Sequence, residues 1–344
     1  MTFKDLAGDT ATWLDGSGQS ATVVVSSRVR LARNLDQIPF TNRATEAEQQ
    51  AVVDAVASAP SPSMVFFRTT DLTELERQLL VERHLISPAL AEEKGARGVL
   101  VEPGECLSVM VNEEDHLRIQ SILSGFQPDE AWVAARKLEA GLADRLKFAE
   151  SDRWGYLTAC ATNAGTGLRA SVLIHLPGLV LTREMDRVIR GVAQMGFVVR
   201  GIYGEGTASA GNLYQISNQL TMGKAEEALL NDLRSVVDEL IACEINARET
   251  LLREAETQIE DKVGRALGIL RNARLLTSQE LMNFSSALRL GIDLKMADDV
   301  DLASLNRLMV ESKPSHLQFR AGRSLSPVER DVLRAERVRS QLVA

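Results

Sequence analysis

Between residues 22 and 220, short β-branched runs alternate with stretches of helical periodicity, the pattern of a mixed α+β domain. Val23, Val24 and Val25 open it, and Thr45 followed by Glu48 forms a capping box ahead of Val52, Val53 and Val56, which predicts a helix. A second helix is predicted over 71–82. The run 106–111 is apolar, and 116–123 sets His116, Arg118 and Gln120 against Leu117, Ile119 and Ser121, so both segments read as strands. The polar break Asn112, Glu113, Glu114, Asp115 is short enough to join them as a hairpin. The fold class is therefore α+β, an antiparallel sheet flanked by helices, and not a doubly wound one.

Beyond Gly223 the period changes. Leu230, Leu233, Val237, Leu240 and Ile241 recur at helical spacing to roughly 257, which predicts one long helix, and 258–344 has Leu-rich helical stretches at 266–270 and 302–310. Ser326 and Glu329 form a capping box with Pro327 at the first helical position, so another helix starts there. The chain divides into an N-terminal extension over 1–21, an α+β domain over 22–255 and a helical domain over 256–344. The first twenty residues and 311–325 read as loose.

With 344 residues, 45% of them hydrophobic, the chain can bury a sizeable core. A formal net charge of -8 disfavours nucleic-acid binding by bulk electrostatics and suits basic partners. Cys106, Cys160 and Cys243 are too few and too scattered for a disulfide framework or a zinc pair, which fits a reducing cytoplasm. The start Met-Thr-Phe-Lys-Asp has no secretory pattern and no apolar run approaches a membrane span.

Phosphate-binding loops of the familiar kinds are missing, but arginines recur at segment ends: Arg28, Arg30, Arg118, Arg169 and Arg200. Arg28 and Arg30 alternate on a strand and share a face. Guanidinium groups match phosphate oxygens bidentately, so five that converge would clamp a triphosphate; taken singly, each reads as a solvated surface arginine. Glu113, Glu114 and Asp115 place three carboxylates side by side, unfavourable unless a cation is near. They read either as an acidic surface turn or as a grip on a cationic substrate that accepts its proton. Cys160 ends an apolar run before the Gly-rich turn 163–167, a position for buried packing or for an accessible thiolate. The Gly-rich stretch 200–211 is a hairpin loop or a lid that brings Glu205 to a substrate.

Ser-Ser-Arg-Val-Arg at 26–30, Asn-Glu-Glu-Asp-His-Leu-Arg at 112–118, Thr-Asn-Ala-Gly-Thr-Gly-Leu-Arg at 162–169 and Tyr-Gln-Ile-Ser-Asn at 214–218 stand in the order they take in the guanidino (phosphagen) kinases. Over 22–255 the chain resembles the catalytic domain of that family. The resemblance implies an ATP site made of Ser26, Ser27, Arg28, Val29, Arg30, His84, Arg118, Arg169, Ala170, Ser171, Val172, Leu173, Arg200, Gly201, Ile202, Tyr203 and Gly204. It implies Glu113, Glu114, Cys160 and Glu205 as catalytic residues, Glu114 taking the guanidinium proton. Mg²⁺ is expected to ride on the nucleotide, with no protein metal site. Ala161 stands where the family has proline.

Small-molecule members carry a helical domain ahead of the first arginine motif; here that motif starts at Ser26 and a different helical domain follows. This arrangement is similar to that of the bacterial protein arginine kinases. The Arg-Asp-x-x-Arg-Ala pattern resembles their phosphoarginine pocket, which implies Arg330, Asp331, Arg334 and Ala335 as phosphoarginine-binding residues. From spacing alone that helix reads as an ordinary charged surface helix. The resemblance further implies protein substrates, an activator protein, a Clp-type protease, a role in stress response and a homodimer or larger oligomer, all cytoplasmic. A kinase for free arginine or another small guanidine shares the same phosphate-binding residues, and a non-catalytic phosphoarginine-binding adaptor is the other alternative.

Overall fold

The computed structural model describes residues 1–58, 64–201 and 209–342. Its strands are β1 (Val24–Arg33), β2 (Val65–Arg68), β3 (Gly98–Val101), β4 (Leu107–Val111), β5 (Leu117–Ser124), β6 (Glu150–Ser151), β7 (Gly155–Tyr156), β8 (Leu168–His175), β9 (Phe197–Gly201) and β10 (Leu213–Asn218). The helices up to the end of the sheet are α1 (Phe3–Gly8), α2 (Glu46–Ala57), α3 (Glu74–Glu82), α4 (Pro88–Glu92), α5 (Pro128–Ala143), α6 (Pro177–Leu181) and α7 (Met185–Gln194). They are followed by α8 (Glu226–Asn272), α9 (Ser278–Asp293), α10 (Leu302–Glu311), α11 (Pro314–Ala321) and α12 (Pro327–Leu342).

Eight strands form one sheet in the order β2-β3-β4-β5-β1-β8-β10-β9, and every pairing is antiparallel. The expected hairpin is β4 and β5, closed by Asn112 at φ 58°, a backbone conformation that asparagine tolerates better than most residues. Side chains alternate across a strand, so the sheet has two faces of different chemistry. Val29, Leu31, Val109, Ile119, Ala170, Val172 and Ile216 point to one side and are buried there against Ala131 and Ala135 of α5 and Leu233 and Val237 of α8. Arg33 lies on this side too, buried against Glu139 of α5 and stacked 3.4 Å over Tyr156. The opposite face is polar around Arg28 and Arg30, where it carries the candidate site, while toward β3 and β4 it is apolar, with Val99, Val101 and Met110 packed against Leu80 of α3 and Leu90 of α4.

The remaining chain is helical and closes over that polar face. A second core of Val263, Leu270, Leu288, Leu305 and Val338 joins α8, α9, α10 and α12. The helix expected to end near 257 runs on to Asn272, but Ala255 breaks it with φ -146° and ψ 32°. The helical region is tied back by Arg248, which pairs with Glu244 at 2.6 Å and Asp293 at 2.7 Å, and by Ser286, which meets His175 at 2.8 Å.

Two segments expected to be loose are structured. Thr2 and Asp5 cap α1 reciprocally, and Leu6, Trp13 and Leu14 are buried; Pro314 starts α11, whose His316 and Leu317 are buried. Both elements are shorter than the window over which periodicity can be read, and they are ordered by packing against the rest of the chain. The predicted helix over 71–82 begins at Glu74, after a capping box of Thr73 and Glu76.

Candidate active site

The register of the sheet decides which side chains meet on its polar face. Arg28 lies opposite Ile122 on β5 and Ser171 on β8; Arg30 lies opposite Gln120 and Arg169; Ala32 lies opposite Arg118. Gln215 on β10 faces Leu173 on one side and Arg200 on the other. Ser26, Arg28, Arg30, Arg118, Arg169, Ser171, Leu173 and Arg200 therefore share one face. Ser27, Val29, Ala170 and Val172 point the other way into the core side, so of these four only the backbone borders the site. Gly201 ends β9 beside Arg200, while Ile202, Tyr203, Gly204 and Glu205 lie outside the described residues.

This arginine cluster is short of counter-charge. Arg28 and Arg30 are half-buried. Burial, with Arg169 and Arg118 close by, lowers the pKa of Arg28 to about 10, and burial together with Arg28, Arg118 and Arg169 holds that of Arg30 well below its ordinary value. Arg169 is lowered by burial and by Arg200. The buried Nε atoms of Arg30 and Arg169 have no hydrogen-bond partner, although an Arg169 Nη donates to the Ser217 hydroxyl at 3.3 Å. Crowded, desolvated guanidinium groups with donors unspent fit a polyanion such as a nucleotide triphosphate.

The three carboxylates of the hairpin turn separate into different tasks. Glu113 pairs with Arg118 at 2.8 Å and accepts from the Ser87 hydroxyl at 2.8 Å; Glu114, largely exposed, approaches Arg118 at 3.4 Å and the Asn163 amide at 3.3 Å. Asp115 is buried and accepts from the Asn34 amide and the Ala159 backbone N–H, each at 2.7 Å, so it fixes the chain before Cys160. His116 is a structural residue as well, its Nδ1 accepting from Leu35 N at 3.0 Å. The thiol of Cys160 lies 3.0 Å from the Thr162 hydroxyl. Glu113 and Glu114 line a groove of about 440 Å³ with Thr41, Asn42 and Ala159, open to an incoming side chain. Among the described residues no group of three His, Cys, Asp or Glu side chains could hold a metal ion.

His84 sits at a left-handed position, φ 62°, and burial with Lys313 and Arg28 nearby lowers its pKa well below 6.5, so it is neutral. It borders a cavity of about 590 Å³ that has Arg28, Arg30 and Arg118 on one wall and Met282, Met309 and Lys313 of the helical region on the other. That volume is in the range of small-ligand sites. Neither Lys313 nor the methionines carried a signal in the sequence, because a single residue on a helix says nothing about what it faces. Ser87 was missed for the same reason; its hydroxyl also caps α4.

The four residues of the Arg-Asp-x-x-Arg-Ala pattern are less open than an empty binding pocket. Arg334 is buried and already donates to the carbonyls of Leu276 at 2.8 Å and Ser312 at 3.0 Å and to Asp331 at 2.5 Å. Ala335 is in the helical core, and Arg330 is half-buried. Arg334 also borders the large cavity, across from Arg28 and Arg30.

Residues 30–247 match the model of the ATP:guanido phosphotransferase C-terminal catalytic domain. The chain belongs to this family. Residues 256–344 match the protein-arginine kinase McsB C-terminal domain, so the break at Ala255 falls in the short stretch between the two matched regions. A protein-arginine kinase of Halothermothrix orenii is 45% identical over 99% of both chains. One from Symbiobacterium thermophilum is 47% identical over 96% of both, and one from Bacillus subtilis is 42% identical over 99% of this chain and 96% of its own. Lombricine kinase shares the fold, with a TM-score of 0.60 and 24% identity over 67% of this chain and 68% of its own. As a guanidino-family phosphotransferase, the chain is an enzyme.

Proposed function

We propose that this protein phosphorylates arginine side chains of other proteins with ATP, giving N-phosphoarginine. The observation that carries the reading is the meeting at Arg118 of two groups of opposite charge: the arginine face of the sheet and the carboxylates of Glu113 and Glu114. Arg28, Arg30, Arg169 and Arg200 would hold the triphosphate with Arg118. Glu113 and Glu114 would receive the guanidinium of the acceptor, the Ser87 hydroxyl holding one oxygen of Glu113. A guanidinium nitrogen bonds to the γ-phosphorus as the bond to the β-phosphate oxygen breaks, ADP leaves with the electron pair, and the proton passes to Glu114. Catalysis of this kind rests on alignment and charge neutralisation. Mg²⁺ enters with the nucleotide, and Cys160, beside the same turn, would contact the guanidinium. Glu205, outside the described residues, is assigned to the acceptor side by the family resemblance alone.

Three further readings belong to this proposal. The open groove beside Glu114 and the McsB-type region at 256–344 support a polypeptide acceptor over a free small guanidine. The helical region would carry self-association and phosphoarginine recognition through Arg330, Asp331, Arg334 and Ala335. Work with an activator protein, marking of substrates for a Clp-type protease in stress, and a cytoplasmic site of action are carried only by the resemblance of the sequence motifs to bacterial protein arginine kinases. Among the described residues no helix is long and apolar enough to cross a membrane.

The deciding experiment incubates the protein with Mg-ATP and an unfolded protein, then maps phosphate by mass spectrometry under non-acidic conditions. Phosphoarginine on the protein that disappears with Glu114→Ala supports the reading. Phosphorylation of free arginine alone would make this a small-molecule kinase, and neither product would leave an adaptor.

A further inference from the structure

Three large apolar side chains stand in water at one end of the sheet: Met195 is 45% exposed, Leu220 61% and Met222 42%. The register gathers them. Val111, Leu117, Leu168, Asn218 and Phe197 mark the same end of β4, β5, β8, β10 and β9. The turn carrying Glu113 and Glu114, the turn 160–167 before β8, the segment after β10 and the turn into β9 therefore form one rim.

The apolar part of that rim is held fast. Thr221 is turned inward, its hydroxyl shared between the carbonyls of Thr162 at 2.8 Å and Ala164 at 2.7 Å, while its own carbonyl accepts from Thr166 N at 3.0 Å. Gly165, at φ 98°, admits this segment: a Cβ there would lie 2.6 Å from Thr221 O and 2.9 Å from the Met222 Cα. Gln219 N donates to Gly196 O at 3.2 Å, which brings Met195 alongside. With Thr221 anchored inward, Leu220 and Met222 are left facing solvent. The turn that anchors them carries Asn163, whose amide reaches Glu114 at 3.3 Å and Asp115 at 3.5 Å. One turn thus joins the apolar rim to the acidic groove of Glu93, Glu113 and Glu114.

A fixed apolar patch in water marks a contact surface, and methionine, two of the three residues here, adapts to partners of varied shape. We propose that Met195, Leu220 and Met222 form a subsite for a large apolar side chain of the acceptor polypeptide, a short distance along the chain from the arginine that enters the acidic groove. The two halves of the surface match such a segment, a cation for Glu113 and Glu114 and an apolar group for the rim. From β5 to β10 there are three strand spacings of about 4.8 Å, which an extended chain rising about 3.3 Å per residue spans in about four residues. The inference rests on the protein-arginine reading of the site.

The test uses peptides with one arginine in a Gly-Ser background, with leucine at that distance before it, after it, or nowhere. Initial rates of phosphoarginine formation with Mg-ATP should give one leucine peptide a KM about tenfold below that of the leucine-free peptide at similar kcat, the worth of burying much of one leucine side chain. In a variant combining Met195→Ser, Leu220→Ser and Met222→Ser, the two KM values should become equal. Equal KM for all three peptides in the wild type overturns the subsite whether or not the variant folds, and so does a leucine advantage that survives in the variant. Both results leave arginine phosphorylation standing, because the leucine-free peptide is still a substrate. Phosphoarginine on none of the peptides would sink the protein-arginine reading and the subsite with it. Light scattering covers the other occupant: an assembly that loses mass in the variant gives the rim to a second copy of this chain and overturns the subsite.

Discussion

Glu82, the last residue of α3, reaches across to His316 in α11, its carboxylate 2.9 Å from Nδ1 of the imidazole. The same carboxylate accepts from Ser315 N at 2.9 Å and His316 N at 3.1 Å, so it caps a helix some 230 residues away in sequence. The next two residues are Arg83, buried with Glu105, and His84, which borders the cavity of about 590 Å³ proposed to take the nucleotide. One turn thus joins the α+β domain to the helical region at the wall of the candidate site.

Removing that carboxylate should loosen the junction. Glu82→Ala leaves buried backbone donors of α11 without an acceptor, which costs about 1–3 kcal/mol. Urea unfolding followed by circular dichroism should show the midpoint fall, with Glu82→Gln retaining more stability than Glu82→Ala because it keeps an acceptor oxygen. Equal midpoints for the three proteins would mean the bridge holds nothing.

Much of this architecture was legible in the sequence. Alternation in 116–123 and the capping boxes at Thr45 and Ser326 mark elements where local chemistry and tertiary packing agree. The placing of Arg28 and Arg30 on one face follows from the strand period alone. What alternation could not show is which distant strands lie beside β1, and only that register brings Arg169 and Arg118 to the same face. Asp115 is the instructive case: in sequence it is one of three equivalent acids, and burial against Asn34 and Ala159 N makes it structural. The cover of Lys313, Met282 and Met309 depends on how one domain docks on another, which leaves no periodic trace.

Arginine crowding on the sheet should be a burden on the unliganded protein. Arg28, Arg30 and Arg169 are desolvated and repelled by neighbouring guanidinium groups, so Arg30→Met, which keeps most of the volume, should raise the unfolding free energy by about 1 kcal/mol without nucleotide. The same change should lower kcat/KM by about a hundredfold or more, since charge at the transferring phosphate is lost. ATP should stabilise the wild type and stabilise the variant much less. Thermal melts with and without Mg-ATP, alongside the kinetics, check both signs; a variant that is less stable and equally active contradicts the account.

All four histidines, His84, His116, His175 and His316, have pKa values below the ordinary 6.5, in each case chiefly through burial. The folded protein therefore binds fewer protons than the unfolded chain just below pH 6.5, and their contribution to stability is complete above that value. It is lost as pH falls through 6.5 toward the depressed native values. His175 is fully enclosed, with Arg248 and Arg289 adding to the effect of burial. Urea midpoints at about pH 7.5 and about pH 6 should show a smaller acid loss in His175→Gln than in the wild type. Equal losses would show that His175 takes no part.

The Arg-Asp-x-x-Arg helix needs a test that separates binding from folding. Arg334 is the obvious target and the wrong one, because its guanidinium serves Leu276, Ser312 and Asp331 at once and is buried where they meet. Arg334→Ala leaves two carbonyls and a carboxylate without their donor and should cost about 3 kcal/mol or more. Loss of phosphoarginine binding in that variant would then say nothing about recognition. Arg330 is half-buried on the first turn of the same helix, and its backbone N–H donates to Ser326 O, a bond that a substitution keeps. Arg330→Ala should change stability by no more than about 0.5 kcal/mol. If the helix reads a phosphorylated arginine, the same variant should weaken binding of a phosphoarginine peptide by about tenfold, the worth of one charge-assisted contact. Calorimetry with the phosphorylated and plain peptides decides it: equal affinity in wild type and Arg330→Ala, with folding intact, returns this helix to the role its buried Arg334 already has, holding α12 against α9 and α10.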